Sequence, residues 1–164
     1  MIELDDGPSF LPPAAEAALK QVGACWGDEA AAERLVLQAL ELAPDTLAAR
    51  VGAYKFYFYR HRLAEALVHA WSCLDWVAER LQMPRDWREV QPRHADFTGL
   101  DPMPRLWLQI VIAIGYCQAR LGQVEDGQES LAKVAQLDPA DRFGARRLSD
   151  VIARGGVDPD EDGD

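Results

Sequence analysis

Hydrophobic positions recur every three or four residues along most of this chain, and no stretch alternates strongly. Between residues 29 and 42, Leu35, Ala39 and Leu42 form one stripe, with Ala32, Val36 and Leu40 beside it. That spacing puts the apolar side chains on one face of a helix. Leu63, Leu67, Ala70, Leu74 and Val77 repeat the pattern over 63–81. Further helices are predicted over 14–25, 46–59, 105–121, 124–137 and 141–153. Pro13 suits a first helical turn, where its missing N–H costs nothing. Asp28 and Asp45 are candidate N-caps for the second and third helices. Pro44 and Pro139 close their helices, and Gly155-Gly156 stops the last. Pro84, Pro92, Pro102 and Pro104 make 83–105 mostly irregular, with a short helical turn near 85–90. These elements give an all-α fold.

The helices repeat. Residues 39–44 read ALELAP and residues 134–139 read VAQLDP, and each proline follows a turn, Gly27-Asp28 or Gly122-Gln123, by 17 positions. A similar turn, RHRLAEAL, occupies 60–67. This resembles the tetratricopeptide repeat, a 34-residue helix-turn-helix. Its pattern falls on Gly115, Gly122, Gly127, Leu131, Val134 and Pro139; on Tyr54, Tyr57, Ala66, Ala70 and Cys73; and on Ala32, Val36, Ala39 and Pro44. The family usually has alanine where Gly127 and Val134 stand. The resemblance implies a right-handed superhelix of about three helix pairs plus a C-terminal capping helix. The units are then 13–46, 47–80 and 108–141, the insertion 81–107 and the capping helix 141–154. An irregular lead, 1–12, and a disordered acidic tail, 155–164, flank this single domain. The block from Gly52 to Leu63, with PRDW at 84–87 and ADF at 95–97, is also similar to small repeat proteins encoded beside nitrogen-fixation genes in bacteria. That likeness implies a part in nitrogenase assembly or maturation.

In the repeat frame one helix of each pair lines a concave groove. Val51, Lys55, Phe58 and Tyr59 face it from the middle unit, and Gln109, Ile112, Tyr116, Ala119 and Arg120 from the third. Lys55, Arg60, His61 and Arg62 cluster either as a solvated helix end or as part of a recognition surface. The expected contacts for a protein or peptide partner are Lys55, Phe58, Tyr59, Arg62, Gln109, Ile112, Tyr116 and Arg120. Tyrosine serves such surfaces because it buries a large area at small entropy cost and carries a polar tip. Tyr54, Phe56, Tyr57, Trp71 and Trp76 are expected in the core. Trp87, with Met83, Phe97 and Met103, makes the insertion either an apolar plug or a mobile recognition arm.

Charge narrows the partner. The 164 residues carry 27 acidic and 17 basic side chains, a formal net charge of −10. Phosphate backbones and anionic bilayers both favour cationic proteins, so neither nucleic acid nor membrane is expected. No basic segment precedes an apolar one at the N-terminus, and Cys25, Cys73 and Cys117 are odd in number and far apart. A reducing cytoplasm is the expectation. His69 and Cys73 lie four apart on a helix, but no further pair completes a metal site, so neither metal nor cofactor is expected. No nucleophile elbow, phosphate loop or zinc-protease motif occurs. The sequence therefore reads as an interaction module rather than an enzyme. The alternatives are a homodimer that buries the aromatic face against its copy and a small-molecule binder that uses a pocket beside the insertion.

Overall fold

A computed structural model describes residues 12–25 and 27–155. Among these the order is α1 (Pro13–Ala24), α2 (Glu29–Leu42), α3 (Leu47–Tyr59), α4 (Leu63–Arg80), 3-10 turns at Trp87–Glu89 and Pro92–His94, α5 (Pro102–Arg120), α6 (Val124–Leu137) and α7 (Ala145–Ala153). No strand occurs among the described residues, so the fold is all-α. The chain divides into two compact units, 1–76 and 77–164, with the boundary inside α4. The predicted tail after Gly155 and most of the predicted lead lie outside the described residues.

In the first unit α1 packs on α2 and α2 on α3. Alanine makes this possible: Ala15, Ala32, Ala39, Ala49 and Ala53 are fully buried, and side chains this small let helices approach closely. Leu19, Leu35 and Leu40 close over the buried Ala18, Ala39 and Ala49. Pro13 stands in the first turn of α1. Asp28 caps α2 as its sequence position suggests, accepting from the Ala31 N–H at 3.1 Å. The start of α3 differs from expectation. Thr46 rather than Asp45 is the N-cap, in extended backbone, and its hydroxyl donates to the Ala43 carbonyl at 2.9 Å. Asp45 instead pairs with Arg50 at 3.6 Å, and its carbonyl accepts from the Trp76 indole at 2.8 Å. Trp71 and Trp76 are half-buried rather than core, and the Trp76 ring keeps its N–H at that surface carbonyl.

In the second unit α5 is the central element, with eleven buried residues that include Leu106, Trp107, Leu108, Ile110, Val111 and Ile114. Each large side chain buried there contributes roughly 1.5–3 kcal/mol. The helix starts at Pro102, three residues before the expected Arg105. Asp101 accepts from the Met103 N–H at 3.3 Å, and two early prolines are tolerated because first-turn N–H groups have no helical partner. α6 packs against α5 across a glycine pair. A Cβ at Gly127 would lie 2.7 Å from the Gly115 carbonyl oxygen, and one at Gly115 would lie 3.1 Å from the Gly127 oxygen. The two backbones therefore touch. The last helix begins at Ala145 rather than near 141, because Asp141 (φ +53°) and Gly144 (φ +80°) turn the chain left-handed first.

The insertion is packed within the second unit. Met83, Trp87, Val90 and Phe97 are buried, and the Phe97 ring lies 5.6 Å from that of Trp107. Lys133 of α6 donates to the Val90 carbonyl at 2.8 Å, and Arg88 pairs with Glu129 at 2.8 Å. Arg142 donates to the carbonyls of Phe97 (2.6 Å) and Gly99 (3.1 Å). The bonds from Lys133 and Arg142 satisfy backbone carbonyls of a segment that the prolines keep out of a helix.

Candidate protein interface

The expected contacts fall into two groups, one in each unit. On α3, Lys55 and Phe58 are half-buried, and Tyr59 is 63% exposed at the helix end. Tyr59 meets Phe58 edge-on at 5.7 Å, and Phe58 meets Tyr54 at 5.9 Å, so an aromatic row runs from the core to the surface. The core end is as expected: Tyr54, Phe56 and Tyr57 are buried. Val51 is buried as well, at 4% exposure, so it is core rather than groove lining.

Arg62 has a different setting from the one expected of a free contact. Its guanidinium holds both Glu33 of α2 and Glu65 of α4, bonding Glu65 at 2.6 and 2.9 Å. It also covers the Tyr57 ring at 4.8 Å, and that ring stacks on His69 at 5.1 Å with 7° between the planes. The bond from Arg62 holds the Glu33 carboxyl below its usual range, and the paired carboxylates raise Arg62. Burial, with the nearby Glu33 charge, pushes the Tyr57 hydroxyl up to about 12. Burial also lowers His69, against the opposing pull of Glu65. This is an internally paired knot that joins α2, α3 and α4.

On α5, Gln109, Ile112 and Tyr116 are half-buried and Arg120 is exposed. Spacings of three or four residues place them on one stripe of the helix. Arg120 lies over the Tyr116 ring at 5.9 Å. Arg105 continues the stripe toward the helix start, with its guanidinium 5.6 Å from the Phe143 ring. The Gln109 side-chain oxygen is buried, and no donor among the described residues meets it. Ala119, also half-buried, lies at the edge of this stripe. Its amide and methyl border Gly127, on the side packed against α6.

Other candidate chemistry has structural explanations. Cys73 and Cys117 are buried, which pushes their thiols up to about 12 and 11. His94 is not simply solvated, since its Nδ1 accepts from the Gln91 N–H at 2.8 Å. No group of three or more metal-ligating side chains occurs among the described residues. None of their helices is long and apolar enough to cross a membrane. Sequence reasoning missed the Glu33–Arg62 pair and the Arg142 clamp. Their partners are 29 and 45 residues away along the chain, and no periodic pattern reports such a contact.

No protein-family model matches the chain, and no solved structure matches it. An uncharacterized 19.8 kDa protein in the nifW 5′ region of Azotobacter chroococcum mcd 1 is 41% identical to it over 128 residues. The match covers 76% of this chain and 71% of that protein. The chain belongs to that protein's family. An overlap of 128 residues is longer than either compact unit, so the family likeness draws on both.

Proposed function

We propose that this protein is a tetratricopeptide-type interaction module that holds a partner protein as an accessory factor in nitrogen fixation. The row Tyr54, Phe58 and Tyr59 carries the reading, because it leads from packed core to a tyrosine left 63% exposed. Tyrosine is favoured where partners bind, because its ring buries a large area at small entropy cost and its hydroxyl stays hydrogen-bonded. The tight α5–α6 crossing at Gly115 and Gly127 supports the repeat assignment, since small residues at those positions are what let paired helices close. The position of the relative's gene supports the biological setting. The scaffold does not by itself name a partner.

The test is a chromosomal deletion in the native host, with growth measured on dinitrogen and on ammonium. Slower growth on dinitrogen alone, restored by the wild-type gene and not by Tyr59→Ala, is the expected result. Equal growth of the deletion strain on both nitrogen sources would remove the nitrogen-fixation role. Co-purification of a tagged chain tests the binding role separately, and a chain recovered alone at low salt would contradict it.

A further inference from the structure

Lys55 of α3 is half-buried, yet it has neither a hydrogen bond nor an ion pair among the described residues. The half-buried arginines of the same unit are engaged. Arg50 donates to the carbonyls of Pro44 at 2.8 Å and Ser72 at 3.0 Å, Arg60 lies over the Phe56 ring at 5.2 Å, and Arg62 holds Glu33 and Glu65. Lys55 finds no carboxylate on its own helix. The side chains three and four residues away are Val51, Gly52, Phe58 and Tyr59. Its charge is felt instead at the buried Cys73 thiol of α4. Burial pushes that thiol up to about 12, against the pull of Arg50 and Lys55, so it stays neutral and supplies no counter-charge.

Ordinary helix chemistry does not account for this cation. The helix dipole favours positive charge in the last turn, and Lys55 precedes the last turn of α3. A lysine can lay its stem on apolar surface and keep its head in water, which explains the methylenes. It does not explain the missing partner in a chain with 27 acidic and 17 basic residues. An ammonium partly withdrawn from water costs stability until an anion meets it. Tyr59, four residues on, shares the face of Lys55 and is 63% exposed. Cation and ring thus stand together at the outer end of the aromatic row, and both lie in the first compact unit.

Resting on the interaction role proposed above, we infer that the partner presents a carboxylate to Lys55, beside an apolar group that covers Tyr59. An Asp or Glu side chain and a chain terminus offer the ammonium the same pair of oxygens. No Asp or Glu on α3 repels either one. The covered Tyr59 ring keeps water from the ion pair, which strengthens the charge-assisted bond.

The experiment places a photo-crosslinking benzoylphenylalanine at Tyr59, which keeps an aromatic group there, in full-length tagged protein expressed in the native host. The cross-linked peptide is identified by mass spectrometry. The expected product is a segment of another protein in which an Asp, a Glu or the C-terminal residue neighbours the cross-linked position. An internal segment assigns the carboxylate to a side chain, and a terminal one to the chain end. Lys55→Met keeps the stem without the charge and should lower the yield about tenfold, while Lys55→Arg should retain it. Urea midpoints of both variants should equal that of the parent. A lowered midpoint with the yield lost in both variants assigns Lys55 a packing role and overturns the inference. A cross-linked segment without a carboxylate, or a yield unchanged in Lys55→Met, also overturns it and leaves the interaction role standing. A cross-link to a second copy of the chain, or none to any protein, overturns both.

Discussion

Gly127→Ala should destabilise the protein, although alanine is the better helix former and the residue usual in the repeat this unit resembles. In an open helix the change would stabilise by about 1 kcal/mol. Here the new methyl carbon would sit 2.7 Å from the Gly115 carbonyl oxygen, with the Ala119 amide nitrogen at 3.1 Å and its methyl at 3.2 Å. A carbon and a carbonyl oxygen rest at about 3.3 Å or more, so the helices must part by roughly half an ångström. Two of the three obstacles are backbone, which no rotamer change relieves. Overpacking of this kind costs about 2–3 kcal/mol. The net expectation is a loss of about 1–2 kcal/mol, measured as a lower urea midpoint by tryptophan fluorescence with the slope unchanged. Two other glycines act as internal controls. Gly23→Ala meets nothing within 4 Å and should stabilise, while Gly52→Ala meets only the end of the flexible Leu19 side chain at 3.1 Å and should be near neutral. A Gly127→Ala protein as stable as Gly23→Ala would refute the close crossing of α5 and α6.

Arg142→Ala removes donors from the Phe97 and Gly99 carbonyls and the 3.6 Å partner of the buried Asp138. A loss of about 1–2 kcal/mol is expected, with faster amide exchange confined to residues 96–101. Stability should fall below pH 6.5. Folding lowers His69, so in the window between its folded value and 6.5 the unfolded chain binds more protons, and stability rises with pH there. His69→Phe should flatten that slope in urea titrations at pH 5.5–7, and an unchanged slope would assign it to other groups. Of the three thiols, half-exposed Cys25 should react quickly with a disulfide reagent, while Cys73 and Cys117 wait for unfolding. A burst of three equivalents from the native protein would contradict their burial.

Most helices were legible because their apolar positions keep a helical period over more than ten residues. α6 runs over the predicted residues, 124–137, since Pro139 and the Gly122 turn bracket it. Boundaries moved where backbone chemistry outweighed periodicity. Pro102 and Pro104 read as breakers but serve as first-turn residues of α5. Asp141 reads as a helix start but adopts a left-handed turn, followed by Gly144, while the Asp138 carboxylate accepts from the Phe143 N–H at 3.2 Å. The core aromatics of α3 followed from one argument, that consecutive rings cannot share a helix face. Individual contacts within the candidate interface were less legible. Val51 has helical spacing suited to a groove, yet it is buried, and Ala119 is partly covered by α6, because neighbours distant in sequence decide which half-apolar positions are covered. Arg62 read as a surface cation because Glu33, which engages it, lies on another helix.

The account rests on the proposal that the aromatic row ending at Tyr59 holds a partner protein. The most direct measurement is quantitative recovery of proteins bound to the tagged chain at native expression, with wild type compared against Tyr59→Ala. The account predicts a partner that is recovered with the wild type and depleted by the substitution. Equal recovery with both proteins would contradict it.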